Sequence, residues 1–278
     1  MSDLPLNHIP LDNLPLGKGV DYDADYNPAL LCAIPRQPGR DILGLQNGIP
    51  FRGFDIWTAY ELSWLDMRGK PIVACAEIHI PADSPNIVES KSLKLYFNSF
   101  NQHRFADAQS VRGIIEKDLA ACLGVKPTVN LRSPADWVAN EQNMLGECID
   151  DLDIDIEHYQ PNAEVLTVGT KMVTETLFSR LLRSRCPVTG QPDWATVQIA
   201  YTGPEIDRAS LLRYIVSFRS HQDFHEHCVE RMFVDLQRHC RSNRLRIYAR
   251  YLRRGGIDIN PFRTNGDEAP PALRCFRQ

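Results

Sequence analysis

No C-x-x-C pair occurs among the eight cysteines, which are scattered at positions 32, 75, 122, 148, 186, 228, 240 and 275. Thiols so spaced in a reducing compartment read as free cysteines rather than as a disulfide framework. No G-x-G-x-x-G and no P-loop is present, so a Rossmann-type cofactor site is not supported. No apolar run approaches a membrane span, and the opening M-S-D-L-P-L-N-H lacks the basic-then-apolar layout of a secretory signal. There is no excess of positive charge. The formal net charge is −4, which speaks against a general nucleic-acid or membrane binder. A cytoplasmic protein is therefore expected. What remains is ordinary globular composition over 278 residues, 43 % hydrophobic and 24 % charged, enough for one large domain or two modest ones.

One phrase occurs twice. S-L-K-L-Y-F-N-S-F-N-Q-H (Ser92 to His103) and S-L-L-R-Y-I-V-S-F-R-S-H (Ser210 to His221) match without a gap at six of twelve positions. Upstream, G-K-P-I-V-A-C-A-E-I (Gly69 to Ile78) lines up with G-Q-P-D-W-A-T-V-Q-I (Gly190 to Ile199). Each of these is a turn followed by a strand, with alternation through Ile72, Ala74, Ala76, Ile78 and Ile80, and through Ala195, Val197, Ile199 and Tyr201. Two matches in the same order indicate a duplicated unit. A helix follows each phrase, read from Val111, Ile114, Ile115, Leu119, Cys122 and Leu123, and from Val229, Met232, Phe233, Leu236 and Cys240. Further strands follow at Pro127 to Ser133 and Leu245 to Leu252. The expected class is α+β, an antiparallel sheet with helices on one face in each half, with modules at 1–150 and 151–278. The acidic stretch Glu147 to Asn162 reads as an exposed edge strand or connector, and the first 60 residues or so as an extension wrapping the first unit.

Several residues could carry chemistry. Cys186, in S-R-C-P-V-T-G-Q-P-D-W, precedes a turn short enough to bring Asp193 back towards it. A thiol beside a carboxylic acid suits addition to a polarised multiple bond, with Arg183, Arg185 or His225 as the activating cation or donor. The plain alternative is a packed loop thiol. Across the repeat, Cys186 aligns with Leu65 and Asp193 with Ile72, so the first half is apolar where the second is chemical. His225 and Glu226, in H-Q-D-F-H-E-H-C, open the second helix. Asp223 serves as a possible N-cap with Glu226 at the capping-box position, or the helix start helps build a polar pocket. The first copy has Ala106 and Asp107 there. H-E-H-C also invites zinc, but His225 and His227 point to different helix faces, and His225 with Cys228 needs further ligands. Glu89 and Lys91, read as two apart on a strand, share a face. They form either a solvated edge pair or a base-reading acid beside a phosphate-reading cation. Arg253-Arg254-Gly255-Gly256 is a second basic spot at which a ligand can approach the backbone.

Together E-S-K-S-L-K-L-Y, the C-P-V-T-G-Q-P-D-W turn and the F-H-E triplet resemble the NADPH-dependent 7-cyano-7-deazaguanine reductases, the nitrile reductases of queuosine biosynthesis. The resemblance covers nearly the whole chain in the long, two-module form. It implies two tandem tunnelling-fold units, each a four-stranded antiparallel sheet with helices on one face, and a homodimer. It implies that Cys186 adds to the nitrile carbon to give a thioimide, that Asp193 protonates the nitrile-derived nitrogen, and that His225 assists proton transfer. Ile87, Val88, Glu89, His225 and Glu226 would bind the 7-deazapurine substrate, and Ser90, Lys91, Arg254 and Gly255 would hold NADPH, two of which take nitrile to amine. A complete site would need both halves; no metal, direct nucleic-acid partner or membrane is implied. Two other readings are a zinc-dependent enzyme like the GTP cyclohydrolases of related fold, which stoichiometric zinc would reveal, and a non-catalytic purine-binding protein, in which no Cys186 adduct would form.

Overall fold

Alternating apolar runs become long strands here, and runs of helical period become helices. The computed structural model describes residues 25–133, 135, 144–272, 274, 275, 277 and 278. The chain divides into two compact units, the first comprising 1–46, 56–138 and 253–258, the second 47–55, 139–252 and 259–278. In chain order the elements are β1 (Ala33–Pro35), α1 (Gln37–Ile42), β2 (Arg52–Leu65), β3 (Pro71–Pro81), β4 (Asn86–Val88), α2 (Ser90–Asn98), α3 (Ala108–Leu123) and β5 (Thr128–Arg132). There follow β6 (Glu147–Cys148), β7 (Val168–Arg185), β8 (Pro192–Ile206), α4 (Arg208–Ser217), α5 (His225–Cys240), β9 (Arg244–Tyr251) and β10 (Ile257–Thr264). The class is mixed α+β with sheets that are mainly antiparallel.

In the first unit, β3 lies between β2 and β5, with Ile78 opposite Val129. Trp57, Trp64, Ile78, Leu93, Tyr96, Phe100, Val111, Ile115 and Leu119 form its core. Of the chain before β2, the described residues 25–46 belong to this unit and 47–51 to the second. β1 pairs antiparallel with β4, and the Arg36 amide donates to Pro85 O. The part of the expected extension before residue 25 lies outside the described residues. In the second unit the order is β10-β9-β8-β7-β6, antiparallel except for β6. α5 packs on β8 and β9, and α4 on β7. Val197, Ile199, Tyr214, Phe218, Val229, Met232, Phe233, Ile247 and Ala249 are buried there. Each such large side chain contributes roughly 1.5–3 kcal/mol relative to exposure. The acidic stretch is a two-residue parallel edge strand, β6, followed by irregular chain.

The duplicated phrase is helical. Glu89 and Lys91 are not on a strand: Glu89 is the N-cap of α2, and Asp207 is the N-cap of α4. The apolar residues at 93, 96, 97 and 100 recur at helical spacing, and the capping carboxylates start the turn. The two units then repeat one hydrogen-bond scheme. The Ser92 hydroxyl donates to Glu89 O (2.7 Å) and accepts from Cys32 N (3.0 Å); that of Ser210 donates to Asp207 O (2.7 Å) and accepts from Thr167 N (3.1 Å). The Tyr96 hydroxyl donates to Asp118 (2.7 Å) and that of Tyr214 to Asp235 (2.8 Å). Ser99 and Ser217 donate to Tyr96 O and Tyr214 O at 2.6 Å each. α3 and α5 are both sixteen residues long and end on left-handed residues, Gly124 and Arg241.

This scheme corrects two correspondences. The amide of Leu65 donates to His103 O (2.9 Å), and that of Arg185 to His221 O (2.8 Å), so Arg185 is the equivalent of Leu65. Cys186 therefore corresponds to Asp66, because its turn is one residue longer than the first. Aligning α3 with α5 from their N-caps, Asp107 and Phe224, places Ala108 and Gln109 where the second unit has His225 and Glu226, rather than Ala106 and Asp107.

Candidate active site

In the second unit, β7 ends at Arg185 and β8 starts at Pro192, and Cys186 sits at the closed end of this hairpin. The turn is tight. Cys186 N donates to Gln191 O (2.8 Å) and Gly190 N to Cys186 O (3.0 Å). Gly190 takes a φ of +68°, which a side chain rarely adopts, and it lies against the Arg185 guanidinium. Cys186 is 5 % exposed. The Thr189 amide donates to its Sγ at 3.5 Å. In the first unit Asp66 Oδ1 fills the same role, accepting from Arg68 N (2.8 Å) and Lys70 N (2.9 Å). The thiol thus stands where the first unit has a turn-capping carboxylate.

Asp193 is paired across the ladder with Ser184, and both are buried. Cys186 faces Gln191, so Asp193 is its diagonal neighbour, a relation of roughly 7–8 Å between Cα atoms in a regular antiparallel ladder. Asp193 Oδ1 lies 3.5 Å from His225 Nε2. The His225 ring meets the edge of Tyr251 with centroids 4.0 Å apart. Burial pushes the Tyr251 hydroxyl and the Cys228 thiol well above their ordinary values, with the Ser184 hydroxyl acting in the opposite sense on both. Glu226, in the first turn of α5, is 1 % exposed and adds its charge to the surroundings of Tyr251.

The expected capping box is absent. The N-cap of α5 is Phe224, which caps nothing with its side chain. Asp223 instead accepts from Phe224 N (2.8 Å) and lies 3.1 Å from His227 Nδ1 and 3.5 Å from His221 Nε2. Burial alone would raise the Asp223 carboxyl; His227 and His221 outweigh it and hold the carboxyl far below the usual range. Of the cations expected near Cys186, Arg185 is engaged with Gly190 O (3.1 Å), and Arg183 lies over Trp194, 5.6 Å from its ring centroid. Among the described residues no group of three His, Cys, Asp or Glu is arranged to hold a metal ion.

In the first unit, Ile87 and Val88 lie on β4, each 1 % exposed. Glu89 accepts from Lys91 N (2.9 Å) and Ser92 N (2.6 Å) with its two carboxylate oxygens. It is 1 % exposed, and burial raises its carboxyl above the usual range despite those donors. Ser90 and Lys91 form the first turn of α2. The Gly255-Gly256 turn, closed by Arg254 N to Ile257 O (3.0 Å), comes against the same helix. A Cβ on Gly255 would sit 3.2 Å from Lys94 Cδ and 3.3 Å from its Nζ. Lys94 in turn pairs with Glu61 at 3.3 Å. Gly255 thus comes against α2, whose first turn holds Ser90 and Lys91, and in the other unit His225 meets Asp193, two residues beyond the hairpin partner of Cys186.

Sequence reasoning passed over Thr189, Ser184, Tyr251 and the Asp223 pair of histidines, and also Lys94 with Glu61. Tyr251 shares the inward face of β9 with Leu245, Ile247 and Ala249, and Lys94 is three residues from Lys91; those spacings were the available signals.

A family model described as nitrile reductase, 7-cyano-7-deazaguanine-reductase N-term, matches residues 22–131, and one described as QueF-like protein matches residues 192–270. A Bordetella avium protein named NADPH-dependent 7-cyano-7-deazaguanine reductase is 54 % identical over 273 residues, covering 97 % of this chain and all of the relative. Proteins of the same name from Bordetella pertussis and Chromohalobacter salexigens are 55 % and 52 % identical over 273 and 270 residues, in each case 96 % of this chain and 99 % and 98 % of the relative.

Proposed function

The chain belongs to the NADPH-dependent 7-cyano-7-deazaguanine reductase family, and from that membership we propose that it reduces the nitrile of 7-cyano-7-deazaguanine to the aminomethyl group, with two NADPH per nitrile, in tRNA queuosine biosynthesis. The observation that carries the reading is a buried Cys186 with an N–H aimed at its sulfur, at the end of a hairpin that also presents Asp193 to His225.

In this mechanism Cys186 Sγ, as the thiolate, attacks the nitrile carbon. The C–S bond forms, one C≡N π bond opens, and its electron pair takes a proton from Asp193, leaving a thioimide and an Asp193 carboxylate. A nitrile accepts hydride poorly and a thioimide better, so covalent addition replaces one hard step by easier ones. His225, 3.5 Å from Asp193, returns protons to that carboxylate between steps. Ile87, Val88, Glu89 and Glu226 hold the 7-deazapurine. A buried carboxylate suits a guanine-like N–H edge, because its remaining acceptor positions favour a base that brings those donors.

NADPH supplies the hydrides when bound. The residues fit such a group: two lysines a helical turn apart on α2, with the Arg254-Gly255 turn whose missing Cβ leaves room beside Lys94, suit a phosphate-bearing ligand. Ser90, Lys91, Arg254 and Gly255 would hold it.

The repeated hydrogen-bond scheme supports reading residues 1–150 and 151–278 as tandem tunnelling-fold modules, and the four antiparallel strands β7 to β10 suit the sheet such a module requires. The protein is further proposed to act as a homodimer on the free 7-deazapurine, without a nucleic-acid partner, in the cytoplasm. A net charge of −4 supports the second point. Among the described residues no helix is long and apolar enough to cross a membrane. The test is to mix the purified protein with 7-cyano-7-deazaguanine and NADPH and to follow NADPH oxidation beside Cys186→Ala. Two NADPH consumed per nitrile, and none in the variant, is the expected result. Tight substrate binding without oxidation would leave a purine-binding protein.

A further inference from the structure

The start of α5 is tied down in a way that the start of α3 is not. In the first unit Asp107 caps the helix, accepting from Ser110 N at 2.7 Å. The residue before the cap loop is Phe105, whose ring stacks on Phe100 (5.1 Å) and lies beside His103 (4.8 Å). In the second unit the backbone bridge is the same. Phe105 N donates to Leu65 O at 3.0 Å, and Asp223 N to Arg185 O at 3.1 Å. Asp223 therefore replaces Phe105. Its carboxylate is shared between the Phe224 amide, His227 on the first turn of α5 and His221 on the turn before it. Counting from the N-caps, His227 stands where α3 has Ser110.

We propose that His221, Asp223 and His227 form a positioning clamp that holds the first turn of α5, and with it His225, in register with the hairpin end that carries Cys186. The clamp reaches both sides of the chemistry. His221 O and Asp223 N bracket Arg185, the residue before Cys186, and Asp223 grips the helix two residues before His225 and four before His227. The groups facing the Asp223 carboxylate are those two imidazoles and the Phe224 amide, and its charge also reaches the buried Cys228 thiol of α5. Between acid and alkaline limits Asp223 stays an anion, because its contacts with the histidines outweigh burial. It acts as a constant charge and not as a proton donor. This role rests on the reductase reading above only for its effect on rate.

Asp223→Asn keeps the shape and removes the charge. Three readouts test it: hydrogen exchange of the amides at 225–228, the rate of Cys186 adduct formation with 7-cyano-7-deazaguanine alone, and the pH profile of kcat. The clamp requires exchange at those amides to rise about tenfold while the rest of α5 is unchanged. Adduct formation and kcat should fall roughly 10–100-fold with KM nearly constant, the profile should shift, and Asp223→Glu should restore part of the rate. Asp223→Phe with His227→Ser, the first-unit pair, guards against misfolding: it should fold and remain slow. Wild-type exchange and wild-type rates in Asp223→Asn overturn the clamp. A loss of rate that only tracks a lower Tm, with an unshifted profile, also overturns it. An inactive wild type whose 225–228 amides loosen in Asp223→Asn removes the reductase reading and leaves the clamp standing.

Discussion

The first and second units use the same serines, tyrosines and aspartates to tie helix to loop, and part company at a handful of positions. Asp66 becomes Cys186. Ala108 becomes His225, and Phe105 becomes Asp223. Gly113, exposed on α3, becomes Glu230, fully buried on α5 and bonded to Arg263 at 3.0 Å, which also binds Asp55 at 2.7 Å. In the other direction the exposed cap Asp207 corresponds to Glu89, longer and almost completely buried. α3 buries a single stripe, Val111, Ile115, Leu119 and Leu123, whereas α5 also buries Glu226, His227 and Glu230. The shared positions satisfy backbone groups at loop–helix junctions, and losing them would cost stability in either unit. The differing positions break local rules: a glutamate where aspartate or serine caps better, a helix start without a capping side chain, and carboxylates out of water. Departures of that kind cost stability and are expected at functional sites.

The largest effect that would separate the units is at the turn. Cys186→Ala should lower turnover by at least about 10⁴-fold, as removal of a covalent nucleophile does. Asp66→Ala should cost a little stability and leave kcat unchanged; NADPH oxidation and thermal melts on both variants check the pair. Next, Asp193→Asn and His225→Ala should each reduce kcat by about 10²–10³-fold, read from the same assay, with thermal stability nearly intact. A smaller contrast lies at the caps. Glu89→Gln should weaken substrate binding by roughly 1–3 kcal/mol, measured by calorimetry, while Tm holds or rises, because burial already disfavours the ionised carboxyl. Asp207→Asn should leave binding alone.

The smallest difference should be between the tyrosines. Tyr96→Phe and Tyr214→Phe each remove a hydrogen bond to a carboxylate and should each cost about 1–3 kcal/mol in denaturant unfolding. Burial, reinforced by Asp118 or Asp235, raises both hydroxyls above their ordinary value. Their stabilisation is therefore whole below about pH 10, the unfolded value, and is lost as pH climbs beyond it. The Asp223 carboxyl has the opposite sign. Its stabilisation is present above about pH 4 and is lost as the solution is acidified below that.

The duplication was legible because Ser92, Tyr96 and Ser99 make hydrogen bonds that only those residue types can make, so their counterparts kept their identity. The strand-bearing turns were legible because side-chain alternation is local. Glu89 and Lys91 read as strand residues because Glu is a poor capping residue by type and conceals the helix start. The correspondence of Cys186 slipped by one because a single added turn residue leaves no mark in composition. Asp223 has the residue type of an N-cap, and what redirects it is His227 and His221, contacts set by tertiary packing. The gathering of Lys94, Glu61 and Gly255 is likewise invisible in a sequence that separates them by up to 194 positions.

The most direct measurement is intact-protein and peptide mass spectrometry after mixing the enzyme with 7-cyano-7-deazaguanine in the absence of NADPH. A mass increase of one substrate, located on the peptide bearing Cys186 and absent in Cys186→Ala, is the predicted result. Tight binding with no adduct, or an adduct on any of the other seven cysteines, would contradict the division of labour between the two units.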